Sequence, residues 1–254
     1  MEQRFYALCS VACNQVQSLM KTMQTVTVNG VDIFPFNSEK QLLEYIDTHK
    51  GILVAINAEK IMHATPTTRH IINNNVGYCD GVGAVWALRQ KGHKQVVKIP
   101  GCELCLKIIE RFHSTHKFYL IGGKQEVIDQ TVSKLKNDFP GLDIAGCHNG
   151  YMDDQERTRV VQDVVDKKPD VVFVAMGSPK QELFMSEMQK AHPQAIYQGL
   201  GGSFDVYTGN VERAPQWWID HNLEFAHRFI THPKRWKRLL PIFKMAILLL
   251  FRKI

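Results

Sequence analysis

The feature that most constrains this chain is an alternation. Short runs rich in β-branched and aromatic residues, at 52–56, 95–99, 117–121, 143–146, 171–175 and 195–198, read as strands. Between them lie amphipathic stretches of helical period, among them 41–48, 102–112, 126–137 and 155–166. Strands separated by helices of this length form βαβ units, which build a parallel sheet covered on both sides. The expected fold is therefore α/β, a mostly parallel, Rossmann-like sheet with helices on both faces. Near Gly209 the alternation stops. From Val211 onward the chain is rich in Trp, His and Arg, and Pro215, Pro233 and Pro241 punctuate short helices. The organisation expected is an N-terminal extension at 1–22 without fixed structure (Met20 and Met23 offer alternative starts), an α/β body at 23–210, and a small helical C-terminal appendage at 211–254.

Charge separates the same two regions. The formal net charge is +6, yet from Arg228 to Ile254 there are eight Lys or Arg and no Asp or Glu. The remainder holds 23 basic against 25 acidic residues, so the basic character belongs to the tail alone and its partner is local. The stretch 239–251 contains Pro241 and Lys244 and is too short to span a bilayer. Its apolar residues Leu239, Leu240, Ile242, Phe243 and 247–250, beside so many cations, point to the surface of an anionic membrane. The interleaved Trp217, Trp218 and Trp236 leave single-stranded nucleic acid as the rival partner.

Six cysteines in 254 residues are no disulfide framework and suit a reducing, cytoplasmic setting. Cys102 and Cys105 followed by His113 and His116 invite a zinc reading. The interval between Cys105 and His113 is short for a finger, however, and the segment reads as one amphipathic helix, so no metal site is expected.

Ligands of a doubly wound sheet bind at the carboxyl ends of its strands. Four such ends carry polar or glycine-rich sequence. They are Asn57-Ala58-Glu59-Lys60; Gly122-Gly123-Lys124; Met176-Gly177-Ser178-Pro179-Lys180-Gln181-Glu182; and Gly199-Leu200-Gly201-Gly202-Ser203-Phe204-Asp205. Any one could be a plain turn, but four on one sheet edge favour a nucleotide site, with backbone N–H groups such as those of Gly122 and Gly123 suited to phosphate or ribose. Asp80, in Cys79-Asp80-Gly81-Val82-Gly83, is the candidate catalytic carboxylate. On pattern alone, the stronger reading is an N-cap for the helix that follows it.

Taken together, these strings resemble the WecG/TagA/CpsF glycosyltransferases, as do Arg213-Ala214-Pro215, Leu223-Glu224-Phe225-Ala226-His227-Arg228 and Pro233-Lys234-Arg235. The likeness runs from about Val28 to Arg238. Asn57-Ala58-Glu59-Lys60, in place of the Asn-Pro-Glu of the teichoic-acid branch, is most similar to the branch of enterobacterial common antigen synthesis. The resemblance implies a UDP-N-acetyl-D-mannosaminuronic acid (UDP-ManNAcA) donor and an undecaprenyl-diphosphate-GlcNAc acceptor. It also implies an inverting, β-1,4-forming transfer on the cytoplasmic face of the inner membrane. Asp80 then falls on the proposed general base, Asn57 and Gln181 on polar residues near the substrate, and Arg228, Arg235 and Arg238 on three arginines of the appendage. Gly122, Gly123, Met176, Gly177, Pro179, Lys180, Gly201, Gly202 and Asp205 become the substrate-binding candidates. Ala55 stands where the teichoic branch has a threonine, and so marks a departure.

An inverting transfer needs a base for the acceptor hydroxyl and positive charge for the departing diphosphate. No Asp-x-Asp occurs (Asp153-Asp154 lacks the spacer), so neither metal nor cofactor is expected. The tail arginines, at steps of seven and three, can share a helical face and supply the charge. A nicotinamide dehydrogenase would need Gly-x-Gly-x-x-Gly after an early strand, which is missing. Which acetamido sugar is moved, and whether copies of the chain associate, stay open at this level.

Overall fold

The computed structural model describes residues 23–221, 223–231 and 239–251. A hairpin comes first, β1 (Val26–Val28) paired with β2 (Val31–Ile33) through Asn29 and Gly30, both at positive φ. Next comes α1 (Glu39–Thr48), whose first turn is closed by the Ser38 side chain accepting the Gln41 N–H. The body then runs β3 (Gly51–Ile56), α2 (Ala58–His63), α3 (Pro66–Asn73), β4 (Val76–Cys79), α4 (Val82–Gln90), α5 (Gly101–Phe112) and β5 (Lys117–Gly122). It continues through α6 (Gln125–Asp138), β6 (Asp143–His148), α7 (Asp154–Lys167), β7 (Val171–Ala175), α8 (Lys180–Ala191), β8 (Ile196–Gly199) and α9 (Ser203–Tyr207). Three further helices follow: α10 (Gln216–Asp220), α11 (Glu224–Thr231) and α12 (Leu239–Leu250).

The six strands β3 to β8 form one parallel sheet in the order β4-β3-β8-β7-β5-β6. Alternation within each strand divides the core. Ile52, Val54, Ile56, Val172 and Val174 pack with Ile61 of α2, Ile71 of α3, Val164 of α7 and Phe184 of α8. Leu53, Phe118, Leu120 and Phe173 face the other way, onto Leu42 of α1, Ile108 of α5 and Ile128 of α6. Both faces are thus covered, as a sheet of continuous apolar strands requires.

One expected strand is absent. Residues 95–99 are irregular, although Val96 and Ile99 are buried. Isolated bonds hold the segment, among them Val97 N–H to the Phe36 carbonyl at 3.1 Å, Ile99 N–H to the Cys79 carbonyl at 2.7 Å and Arg89 Nη2 to the Val96 carbonyl at 3.0 Å. Pro100 ends it before any ladder forms, so its apolar residues fill the core without joining the sheet. The edge position belongs instead to β4, a four-residue strand in which Gly77 lies so close to the Asp32 carbonyl that a side chain would collide. The hairpin and β4 had no counterpart among the expected strands. Helix ends differ from expectation by one or two residues, the ordinary scatter of frayed termini.

The appendage touches the body through α12. Met245 and Leu249 are buried against α2 and α4, and Gln90 Nε2 donates to the Leu249 carbonyl at 2.6 Å. Leu240, Phe243, Ile247 and Leu250 lie on the opposite side and are exposed. Among the described residues no helix is long and apolar enough to cross a membrane.

Candidate active site

The chain leaves β5 towards the outer strand β6 and leaves β7 the other way, towards β8, which places a topological switch between β5 and β7. Here the strand ends approach closely. Gly122, at φ +137°, leaves no room for a side chain beside the Ala175 carbonyl, and Gly123 N–H donates to that carbonyl at 3.2 Å. The Gly123 N–H is thereby engaged within the protein. Its carbonyl accepts from Gly150 at 2.8 Å, which carries the turn after β6 to the same place. Beside it opens a cavity of about 390 Å³, lined by Tyr151, Met152, Arg157, Met176, Lys180 and Phe184, among others. Arg157 is paired with Glu187 and lies over the Phe184 ring, while Tyr151 stands 73% exposed.

A second cluster lies at the ends of β4, β3, β8 and β7. The N–H groups of Asp80 and Gly81 both reach the Ile56 carbonyl, at 2.9 and 3.2 Å, which seats Asp80 beside Asn57. The cap of α4 is Gly81 and uses no side chain. Asp80 therefore does not cap its own helix, contrary to the pattern reading. Its Oδ1 accepts the N–H of Gly101, the first residue of α5, at 2.8 Å. The carbonyl of Gly101 takes a bond from Gln198 Nε2 at 2.9 Å, and a side chain at 101 would crowd the Tyr78 hydroxyl. Ala55 faces the same spot. The environment is anionic: burial first, then the Asp80 charge, pushes the Cys79 thiol up to about 12 and the Tyr78 hydroxyl well above its ordinary range. Both remain protonated at neutral pH.

Asn57 caps α2, its Oδ1 accepting the Lys60 N–H at 3.0 Å. Lys60 turns back, and its Nζ donates to the Ala55 carbonyl at 2.9 Å and pairs with Glu182 Oε1 at 2.9 Å. Gln181 is buried, its Nε2 on Glu182 Oε1 at 3.2 Å and its Oε1 accepting the Gly201 N–H at 2.9 Å. Burial, the largest single influence, raises the Glu182 carboxyl, but Lys60, Ser178 and a backbone bond together hold it below the usual Glu value.

Asn57, Asp80 and Gln181 are thus brought to one edge, with Gly201 bonded to Gln181. Met176 and Lys180 line the cavity, and Gly177 and Pro179 form the turn that enters α8 across a cis Ser178-Pro179 bond. Gly202 caps α9, which carries Asp205. Arg228 falls on α11, and Arg235 and Arg238 lie outside the described residues, as does the 1–22 extension. Cys102 and Cys105 lie on α5 and His113 caps its end; among the described residues no three His, Cys, Asp or Glu side chains gather as a metal site.

The expected strand stops at Gly146, two residues short of β6, so Tyr151 falls outside the expected strand-end turns, while Arg157 lies in the expected helix at 155–166 with nothing in its pattern to mark it. Two more strand residues would have made Asn149-Gly150-Tyr151 a fifth strand-end turn. Lys60 and Glu182 sat inside quoted strings without a role.

A parallel sheet with polar groups and a cavity along its carboxyl edge is the arrangement in which α/β proteins bind their ligands. The model of the glycosyl transferase WecG/TagA/CpsF family matches residues 26–254, and the chain belongs to that family. It is a glycosyltransferase of cell-surface polysaccharide synthesis.

Proposed function

We propose that the protein moves N-acetyl-D-mannosaminuronic acid from UDP-ManNAcA to a polyprenyl-diphosphate-linked GlcNAc, with inversion, at the cytoplasmic face of the inner membrane. The observation that carries this reading is Asp80. Its carboxylate is fixed by Gly101, beside Asn57 and at the carboxyl edge where substrates of such sheets lie. A carboxylate so held accepts the proton of the acceptor hydroxyl while that oxygen attacks the anomeric carbon and the UDP oxygen departs on the far side. The cavity beside the switch suits the nucleotide. Tyr151 offers an open ring face to the base, and Lys180 a cation near the phosphates. Arg228, Arg235 and Arg238 meet the charge on the leaving diphosphate, which makes the reaction independent of metal, so activity is expected to survive EDTA.

The choice of donor rests on Asn57-Ala58-Glu59-Lys60 and on Ala55, where the teichoic branch has a hydroxyl. Purified protein, a lipid-diphosphate GlcNAc acceptor and a panel of UDP-sugars test it. Turnover with UDP-ManNAcA above the other donors is expected; preference for UDP-N-acetylmannosamine would move the protein to the teichoic-type reaction. Membrane attachment is assigned to α12. Its outward stripe of Leu240, Phe243, Ile247 and Leu250 is apolar although its inward stripe is already satisfied by the body.

A further inference from the structure

A buried ion pair rarely stabilises a fold more than apolar residues of the same size would, because both charges must leave water. Lys60 and Glu182 are such a pair, their side chains 13% and 2% exposed and their charged atoms 2.9 Å apart. Their position gives them a use that packing alone does not. Lys60 belongs to the turn after β3, Glu182 to the first turn after β7, and between β3 and β7 lies β8, whose end carries Gly201. A single chain of bonds joins all three strand ends. It runs from the Ala55 carbonyl to Lys60 Nζ, on to Glu182 Oε1, then to Gln181 Nε2, and from Gln181 Oε1 to the Gly201 N–H.

The donors and acceptors along this chain permit one arrangement of the Gln181 amide. The Gly201 N–H can only donate, so it must face Oε1. The Glu182 carboxylate, kept ionised by Lys60, can only accept, so it must face Nε2. Glycine at 199 leaves room for that nitrogen, which lies where a side chain would otherwise begin. Without Glu182 the Nε2 end of the amide is held by nothing among the described residues, and without Lys60 the carboxylate that holds it loses its own anchor to the β3 end.

We infer that Lys60 and Glu182 are positioning residues for the transfer: the pair fixes the orientation of the Gln181 amide and ties the Asn57 turn to the Gln181 and Gly201 turns. This rests on Gln181 acting at the substrate, as in the function proposed above. Neither Lys60 nor Glu182 touches the reacting atoms. Their loss therefore slows the chemical step and leaves nucleotide binding alone.

The test replaces the pair by apolar residues, Lys60→Met with Glu182→Leu, and compares it with Gln181→Ala and wild type, using the donor that the UDP-sugar panel selects. Melting temperature, UDP affinity by calorimetry, kcat and donor KM are measured for each. The double variant is expected to melt at or above the wild-type temperature and to bind UDP unchanged. Its kcat is expected to fall by about 10²-fold, the scale of a displaced catalytic group. Wild-type kcat in a folded double variant overturns the inference and makes the pair structural only. Should the double variant not fold, Glu182→Gln on the Gln181→Ala background decides. No further loss supports action through Gln181, whereas a loss that multiplies overturns it. Wild-type kcat in Gln181→Ala itself removes Gln181 from the proposed mechanism and this inference with it. A slow Gln181→Ala beside a fast double variant sinks the inference alone.

Discussion

Along the carboxyl edge of the sheet, polar side chains are held by bonds within the body: Asp80 by Gly101, Gln181 by Glu182 and Gly201, Lys60 by Ala55 and Glu182. In the appendage the large side chains are turned outward instead, with Trp217, Ile230, Phe243, Ile247, Leu250 and Phe251 all more than half exposed. Trp217 rests on His221 at a ring distance of 4.4 Å and meets Trp218 edge-on at 5.4 Å, an aromatic group packed on itself rather than under the body. The difference teaches where each region finds its partner. The polar groups of the edge find their partners within the fold. The described part of the appendage leaves large apolar side chains uncovered by the fold, which favours the membrane attachment proposed for it.

If the edge is a catalytic rim, the largest effect is expected at Asp80. Asp80→Asn keeps the shape and an acceptor oxygen for Gly101 but removes the base, so turnover should fall by roughly 10² to 10⁴ with the melting temperature little changed. Circular dichroism and a sugar-transfer assay on the same preparation check it. Near-normal turnover would reduce Asp80 to a fastening for the first turn of α5 and leave the edge without its base.

The appendage is expected to split into two functions. Arg235→Ala or Arg238→Ala should lower turnover by about 10²-fold, the cost of an unmet leaving-group charge near 3 kcal/mol. Vesicle binding should change far less, by about 1 kcal/mol per lost cation. Phe243→Ser with Ile247→Ser should do the reverse. Affinity for anionic vesicles should fall by at least about tenfold, since each apolar side chain taken into lipid contributes on the order of 1.5–3 kcal/mol when fully covered. Turnover on a detergent-soluble acceptor should persist. Equal losses in both assays for both sets would make the appendage an anchor only, leaving the diphosphate to the turns of the body.

What could be read from the sequence divides along the same line. The strands β3, β5 and β7 are mostly apolar runs with glycine or Asn at or within two residues of their ends, β8 is a short run ending in Gly199, and the segments after them hold Asn57, Gln181 and Gly201; short-range pattern reaches all of these. Short-range pattern cannot reach contacts between distant turns. Gly101 lies 21 residues beyond Asp80, and Glu182 far beyond Lys60, so their pairing exists only after the sheet order is known. The strand expected at 95–99 failed for a related reason. Its apolar, β-branched residues are those of a strand, but burial without a neighbouring ladder does not make one. The apolar helix at the end was legible as apolar, but not that Met245 and Leu249 turn inward while Phe243 and Ile247 turn out.

That inward face offers a way to sharpen the contrast within one helix. Met245 is buried and its sulfur lies against Gly83 at the start of α4, the helix that follows Asp80. Met245→Ala should destabilise the protein by about 2 kcal/mol or more through the cavity it leaves. Phe243→Ser, on the outward face, should stay within about 0.5 kcal/mol. Thermal unfolding of the two single variants distinguishes them. Equal destabilisation would mean that Phe243 too is covered by protein.

The smallest expected effect is a dependence on pH that a change at Glu182 should alter and a change on the outward face of α12 should not. Burial raises the Glu182 carboxyl, Lys60 with Ser178 and a backbone bond lowers it by more, and the net position is below the ordinary value of 4.5. A carboxyl whose folded pKa is depressed binds its proton more readily when the chain is unfolded. Its contribution is therefore fully present above about 4.5 and is lost as pH falls through the lower, folded value. Glu182→Gln has no proton to take up there. The melting temperatures of wild type and Glu182→Gln should differ by a constant amount from pH 7 down to about 4.5, and the gap should narrow at lower pH. Phe243→Ser, which changes no titrating group, should run parallel to wild type throughout. A gap that stays constant to pH 3 would mean the Glu182 carboxylate gains nothing from Lys60, and the bond chain across the three strand ends would lose its charged link.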